Sequence, residues 1–216
     1  YTSGTTGDPK GAVLSNGNVL FGAIHSLVGY GINHTYKSLV VAPLFHIGAL
    51  VASATPVIYA GGSLLLQSFY NASEVIKLIQ REKITNFTGV PLMCFELLTH
   101  PDRHKYDLSS LQGLAGGGAP RPVDHVRRLV EEFPTAPPAL GYGLTETNAI
   151  GAGIFSTNYL EKPNSTGAPS KPLVDLAILD DAGKSVPQGE RGEVSIRSVA
   201  LFSGYWNRPD ATTDCM

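Results

Sequence analysis

Between Ser38 and Ser73 the chain carries no aspartate, glutamate, lysine or arginine, and the run VVAPLFHIGALVASATPVIYAGGSLLL within it is almost wholly apolar or small. A helix that crosses a membrane needs roughly 20 such residues without interruption. Here Pro43, Gly48, Pro56, Gly61 and Gly62 break the run, so the longest helix it admits covers residues 47–60. The pattern predicts a buried strand–helix–strand unit and no transmembrane segment. Short β-rich runs at 39–42, 63–66, 86–88 and 111–115 alternate with helical periodicity elsewhere. Residues 73–83 place Val75, Ile76, Leu78 and Ile79 on one stripe, with Ser73 as the candidate N-cap. Residues 123–133, opened by Pro122, carry Val126, Leu129, Val130 and Phe133 towards a core. Repeated βα units predict an α/β fold, a parallel or mixed sheet with flanking helices and ligands at the strand ends.

After Tyr159 the texture changes to EKPNSTGAPSKPL and then to a hairpin pattern. Val174, Leu176 and Ile178 alternate with polar or small residues, DDAGK supplies a turn, and Val194 and Ile196 alternate on the return. The expected organisation is an α/β subdomain over residues 1–165, then the start of a β-rich subdomain over residues 166–216. Because the chain opens inside a motif and stops as a new segment begins, it reads as part of a longer protein.

Composition narrows the function. With 43% hydrophobic and 16% charged residues the chain can bury a core, and 16 basic against 18 acidic residues give a net charge of −2. No basic block marks a nucleic-acid partner, so a small neutral or anionic ligand is expected. Cys94 and Cys215 are far apart and suit a reducing, cytoplasmic setting. Peripheral association of the parent protein with membranes stays open, and nothing sets an oligomeric state. His100 and His104 have metal-ligand spacing if helical, but Pro101 argues for a loop.

The chemistry concentrates in YTSGTTGDPKG, residues 1–11. Gly4 and Gly7 let backbone N–H groups approach anionic oxygens, Thr2, Ser3, Thr5 and Thr6 donate hydroxyls, and Lys10 adds a mobile positive charge. It is not a Walker A loop, because Pro9 stands where glycine would precede the lysine. Far downstream, GYGLTET, Gly141 to Thr147, offers a flat ring at Tyr142 between Gly141 and Gly143, a hydroxyl at Thr145 and a hard carboxylate at Glu146. Between the two lies GGGAP, residues 116–120, a Gly-rich turn between a strand and a helix.

These strings, in this order, resemble the signatures of the adenylate-forming superfamily, which includes acyl-CoA synthetases, aryl-CoA ligases, insect luciferases and peptide-synthetase adenylation domains. The resemblance spans nearly the whole chain and implies an incomplete large N-terminal domain of that superfamily, running into a distorted barrel, with a C-terminal lid domain absent. It implies ATP, Mg²⁺ and coenzyme A as partners of a small carboxylic acid. Thr2 to Gly7 and Lys10 would hold phosphate, and Gly117, Gly118, Ala119, Pro120, Gly141, Tyr142 and Gly143 would line the adenine pocket. Lys10, Thr145 and Glu146 would be catalytic, with Glu146 binding the metal.

PLFHIGAL, residues 43–50, resembles the mouth of the acyl pocket in coenzyme A ligases, which makes His46 the substrate-binding candidate. Amino-acid-activating relatives commonly carry aspartate there to pair with an ammonium group, so His46 favours an acid without an α-amino group. GERGEVSIRSVALFSGYWNRPDAT resembles the segment that precedes the superfamily's ribose-binding aspartate. It departs at Ser198, where glycine is usual, and the Thr-Gly-Asp motif would follow Met216. Arg197 and the Tyr205–Trp206 pair read as structural. The implied reaction is attack of a carboxylate on the α-phosphorus of MgATP, then thioester formation, with a medium- or long-chain fatty acid as the expected substrate. The alternatives are a coumarate-type aryl-CoA ligase and a fragment or remnant that binds ATP without turning it over.

Overall fold

The computed structural model describes residues 1–2 and 7–216. Five parallel strands form its centre: β1 (Lys37–Val40), β2 (Ser63–Leu66), β3 (Asn86–Gly89), β4 (Gly113–Gly117) and β5 (Pro138–Tyr142). Two antiparallel strands, β6 (Ala152–Phe155) and β7 (Ala168–Pro169), extend one edge, giving the order β2-β1-β3-β4-β5-β6-β7. The expected α/β mixed sheet is present, with strand bounds displaced by up to two residues at 37–40 and 113–117.

Helices cover both faces. On one side α1 (Asn16–Tyr30) packs on the helical segment that follows β1, which is a π-helical stretch (Gly48–Ala54) running into α2 (Thr55–Tyr59). On the other side lie α3 (Ala72–Glu82), α4 (Pro91–Thr99) and α5 (Val123–Glu132), with α6 (Ser156–Glu161) beside α5. This is a doubly wound arrangement: the chain runs outward from β1 to β2, returns past β1 to β3, and continues to β5. The main core lies under α3, α4 and α5, where Leu39, Ile76, Ile79, Phe87, Leu97 and Leu114 are buried together. Each such side chain contributes about 1.5–3 kcal/mol relative to exposure. Among the described residues no helix is long and apolar enough to cross a membrane.

Two local details differ from the sequence pattern. The N-cap of α3 is Asn71, whose side chain accepts from the Glu74 N–H at 3.1 Å, and not Ser73. Ser73 already lies in the first turn, where its hydroxyl meets His100 Nε2 at 2.8 Å. His100 thus sits in a loop against α3, and His104 in a single 3₁₀ turn beside Arg103. The second detail is α1, which buries Gly22, Ala23 and Ser26 and leaves the apolar Leu20, Phe21, Ile24 and Val28 exposed. It starts on a reciprocal cap in which Ser15 Oγ accepts from the Asn18 N–H and Asn18 Oδ1 accepts from the Ser15 N–H.

The hairpin forms as expected, with β8 (Val174–Leu179) antiparallel to β9 (Glu193–Ser198). Val174 and Ala200 pack with Ile150, which follows the GYGLTET segment, so the hairpin is seated against the end of the sheet. A last helix, α7 (Pro209–Cys215), closes the described chain.

Directly after the Gly-rich turn, Arg121 is 3% exposed, with Cys94 Sγ 3.7 Å from one terminal nitrogen and the Tyr159 ring centroid 5.8 Å from its carbon. Its Nε and other terminal nitrogen have no partner, and it makes no ion pair among the described residues. A buried cation without a carboxylate is costly to keep. Arg121→Leu is therefore expected to unfold at or above the wild-type denaturant midpoint. A loss of more than about 2 kcal/mol would show that the guanidinium has a partner these side chains do not supply.

Candidate functional site

The GGGAP and GYGLTET candidates lie at the carboxyl ends of β4 and β5. Gly117 pairs with Gly141 in the ladder, and a Cβ at position 117 would lie 2.9 Å from the Gly141 carbonyl oxygen. Only glycine lets the two strands end so close together. Gly118 then turns the chain at φ +78°, and Gly118, Ala119 and Pro120 stand exposed at the sheet edge. Tyr142, half-buried, ends β5 with its ring beside Gly151, where an added Cβ would come within 3.4 Å of Tyr142 Cδ1. The adenine-pocket candidates of GGGAP and GYG are thus adjacent on neighbouring strands, though 20 or more residues separate them in sequence.

Beyond Tyr142 the chain folds into a tight loop. Thr147 Oγ1 accepts from the Leu144 N–H at 2.9 Å, and the Ala149 N–H donates to the Leu144 carbonyl at 2.8 Å. Asn148 and Ala149 follow at φ +57° and +62°, a left-handed pair that costs non-glycine residues energy. Asn148, fully buried, holds the loop to α1 by donating to the Asn18 carbonyl at 2.6 Å. The result leaves Thr145 and Glu146 half-exposed at the tip.

The opening segment meets this loop through a third one. The Thr2 N–H donates to the Lys10 carbonyl at 2.9 Å and the Lys10 N–H to Thr2 Oγ1 at 3.2 Å, closing the neck of the motif. Gly7 is exposed, and Ser3, Gly4, Thr5 and Thr6 lie outside the described residues. Residues 11–13 pair with the 203–206 segment: Trp206 N–H donates to the Gly11 carbonyl at 2.7 Å, and Ser203 N–H to the Val13 carbonyl at 2.8 Å. The Phe202 N–H donates to the Glu146 carbonyl at 2.8 Å. Tyr205 completes the junction, its hydroxyl donating to Glu146 Oε1 and its ring centroid lying 4.4 Å from Lys10 Nζ. Lys10 and Glu146 are therefore brought together through Tyr205, a residue whose sequence context suggests only a structural role.

His46 sits apart from this junction. It lies exposed in the loop after β1, on the same edge of the sheet, and its Nδ1 accepts from the Gly48 N–H at 3.0 Å at the start of the π-helical stretch. Arg197, exposed in β9, pairs with Asp175.

Glu146 suits a divalent cation of the kind bound with phosphates. One carboxylate oxygen takes the Tyr205 hydroxyl, while the other has no protein partner among the described residues. No cluster of three metal-ligating side chains occurs among them. A single, half-exposed hard carboxylate matches magnesium, which keeps waters and phosphate oxygens in its shell, better than an all-protein cage.

The description "AMP-binding enzyme" matches residues 1–206. The chain belongs to that family. A feruloyl-CoA synthase of Amycolatopsis sp. is 36% identical over 216 residues, which are 100% of this chain and 43% of that protein. A medium/long-chain fatty-acid–CoA ligase of Mycobacterium tuberculosis is 35% identical over 217 residues, covering 99% of this chain and 37% of that protein. The chain thus spans about two-fifths of the length of the curated relatives it matches. Among solved structures, the o-succinylbenzoate coenzyme A synthetase of Bacillus subtilis in complex with ATP and magnesium ion superposes with a TM-score of 0.91 at 29% identity. That match covers 100% of this chain and 44% of the solved one. That synthetase therefore shares the doubly wound sheet of this chain.

Proposed function

We propose that the protein carrying this chain activates a carboxylic acid with ATP, forming an acyl-adenylate and pyrophosphate and then a coenzyme A thioester. The observation that supports it most directly is the convergence of Lys10 and Glu146, a positive and a negative group from segments more than a hundred residues apart, on one ring. Phosphoryl chemistry needs charge neutralisation and in-line positioning more than a covalent nucleophile. Lys10, half-buried at the neck of the opening loop, holds the phosphates and follows the leaving pyrophosphate. The Thr145 hydroxyl, at the exposed loop tip, donates to a phosphate oxygen. Gly117 to Pro120 and Tyr142 enclose the adenine, and Glu146 holds magnesium through the oxygen that Tyr205 does not take. Magnesium, when bound, offsets the negative charge of the phosphates. His46 stands at the mouth of the acyl site. The division into a nucleotide- and acyl-binding part over residues 1–165 and a β-rich part from 166 belongs to the same reading.

The acid lacks an α-amino group, since His46 stands where a carboxylate would be needed to pair with an ammonium ion. Within that class a fatty acid is the expected substrate. An aryl acid is the second reading, favoured by the feruloyl-CoA synthase at 36% identity. Full-length protein assayed for acid-dependent ATP–pyrophosphate exchange with octanoate, palmitate, coumarate and ferulate separates them. Exchange highest with octanoate or palmitate supports the fatty-acid reading, and highest with coumarate or ferulate the aryl one. ATP binding without exchange on a broad acid panel would sink the ligase assignment and leave a nucleotide-binding protein.

A further inference from the structure

Tyr205 is held with unusual care for a residue that only fills space. Its N–H donates to Thr212 Oγ1 of α7 at 2.8 Å, and Ala12 pairs with it across an antiparallel bridge. The buried ring of Phe202 meets it edge-on, centroids 4.9 Å apart at 68°. Two different parts of one rigid ring then face the two charged groups of the site. The oxygen meets Glu146 Oε1, and the π-face meets Lys10. Phenylalanine could do the second and not the first; leucine could do neither.

We propose that Tyr205 is a positioning residue of the nucleotide site, its hydroxyl fixing the Glu146 carboxylate for the divalent cation and its ring fixing the Lys10 ammonium for phosphate. The arrangement orients one oxygen of Glu146 through a neutral donor and leaves the other for the metal. It also keeps Lys10 from collapsing onto Glu146 as a direct ion pair, which would cancel both charges before the nucleotide arrives. A partner that orients a metal ligand in this way is typically worth about 10–100-fold in metal affinity. A cation over an aromatic face at a partly exposed site is worth about three- to five-fold.

The inference rests on reading Glu146 and Lys10 as ligands of MgATP, and the test separates the two. Full-length wild type, Tyr205→Phe and Tyr205→Leu are compared without acid substrate. Mn²⁺ binding in the presence of ATP is followed by electron paramagnetic resonance, and metal-free ATP binding by calorimetry in EDTA. Tyr205→Phe is expected to weaken Mn²⁺ binding about ten-fold or more while metal-free ATP binding stays within about two-fold. Tyr205→Leu is expected to show the same metal defect and a further loss of about three- to five-fold in metal-free ATP binding. Wild-type Mn²⁺ affinity in Tyr205→Phe would overturn the proposal. So would equal losses of metal and metal-free binding in that variant, which mark a merely structural ring. Failure of the wild-type protein to bind ATP with or without Mn²⁺ would overturn the reading of the site itself.

Discussion

Glu146→Gln in the full-length protein is expected to lower acid-dependent ATP–pyrophosphate exchange by at least about 100-fold, with an unchanged unfolding midpoint. Glutamine keeps the size of the side chain and an acceptor oxygen for the Tyr205 hydroxyl, so the junction of the three segments survives. What it removes is the negative charge and with it the hard anionic ligand. The main-chain tie from Phe202 to the Glu146 carbonyl, at 2.8 Å, does not depend on the side chain at all. Loss of activity with retained stability would thus isolate metal binding from folding. Glu146→Ala removes the Tyr205 contact as well and is expected to be at least as inactive. Exchange by the glutamine variant within about three-fold of wild type would show that the carboxylate takes no part in adenylation.

The second large effect is expected at Gly143. A Cβ there would lie 2.4 Å from the carbonyl carbon of Ala149, 2.5 Å from its oxygen and 2.7 Å from the N of Ile150. These are backbone atoms of a loop already strained at Asn148 and Ala149, so no side-chain rotation can relieve the clash. Gly143→Ala is expected to destabilise the protein by about 3 kcal/mol or more and to displace Glu146 from Tyr205. Denaturant unfolding and ATP binding would record both losses. Gly118→Ala is the informative contrast. That position also needs a positive φ, +78°, but nothing lies within 4 Å of an added Cβ, so about 1 kcal/mol is expected there. If the two variants were equally stable, the close packing of the 143–150 loop would not be what shapes the site.

Much of the fold follows from local pattern. The alternation of β-rich runs with striped helices is visible for residues 63–66, 73–83 and 123–133, because a buried strand and a one-sided helix each leave a periodic signature. The hairpin of β8 and β9 is legible for the same reason, with alternation on both arms and turn chemistry between. The packing of α1 is not, since Leu20, Ala23, Ile24, Leu27 and Val28 recur at helical spacing while the residues it buries are Gly22, Ala23 and Ser26; its capping box at Ser15 and Asn18 is the local signal of where it starts. The start of α3 was misplaced because Asn71 and Ser73 are both good caps, and only the path of the chain leaving β2 selects between them.

The site divides along the same line. By itself the sequence determined the chemical inventory: a hydroxyl- and glycine-rich loop ending in Lys10, the GGGAP turn, and GYGLTET with its carboxylate. Residue type and short-range spacing carry that information, because backbone approach to anions, hydroxyl donation and charge are properties of single residues and tight turns. Tertiary structure alone decided that Lys10 and Glu146 both contact Tyr205, which lies 59 residues from Glu146 along the chain. It also decided that the glycines at 117 and 143 are there to avoid backbone collisions. Contacts of that kind depend on how strands and loops are registered against each other in space, and no local period in the sequence encodes such a meeting.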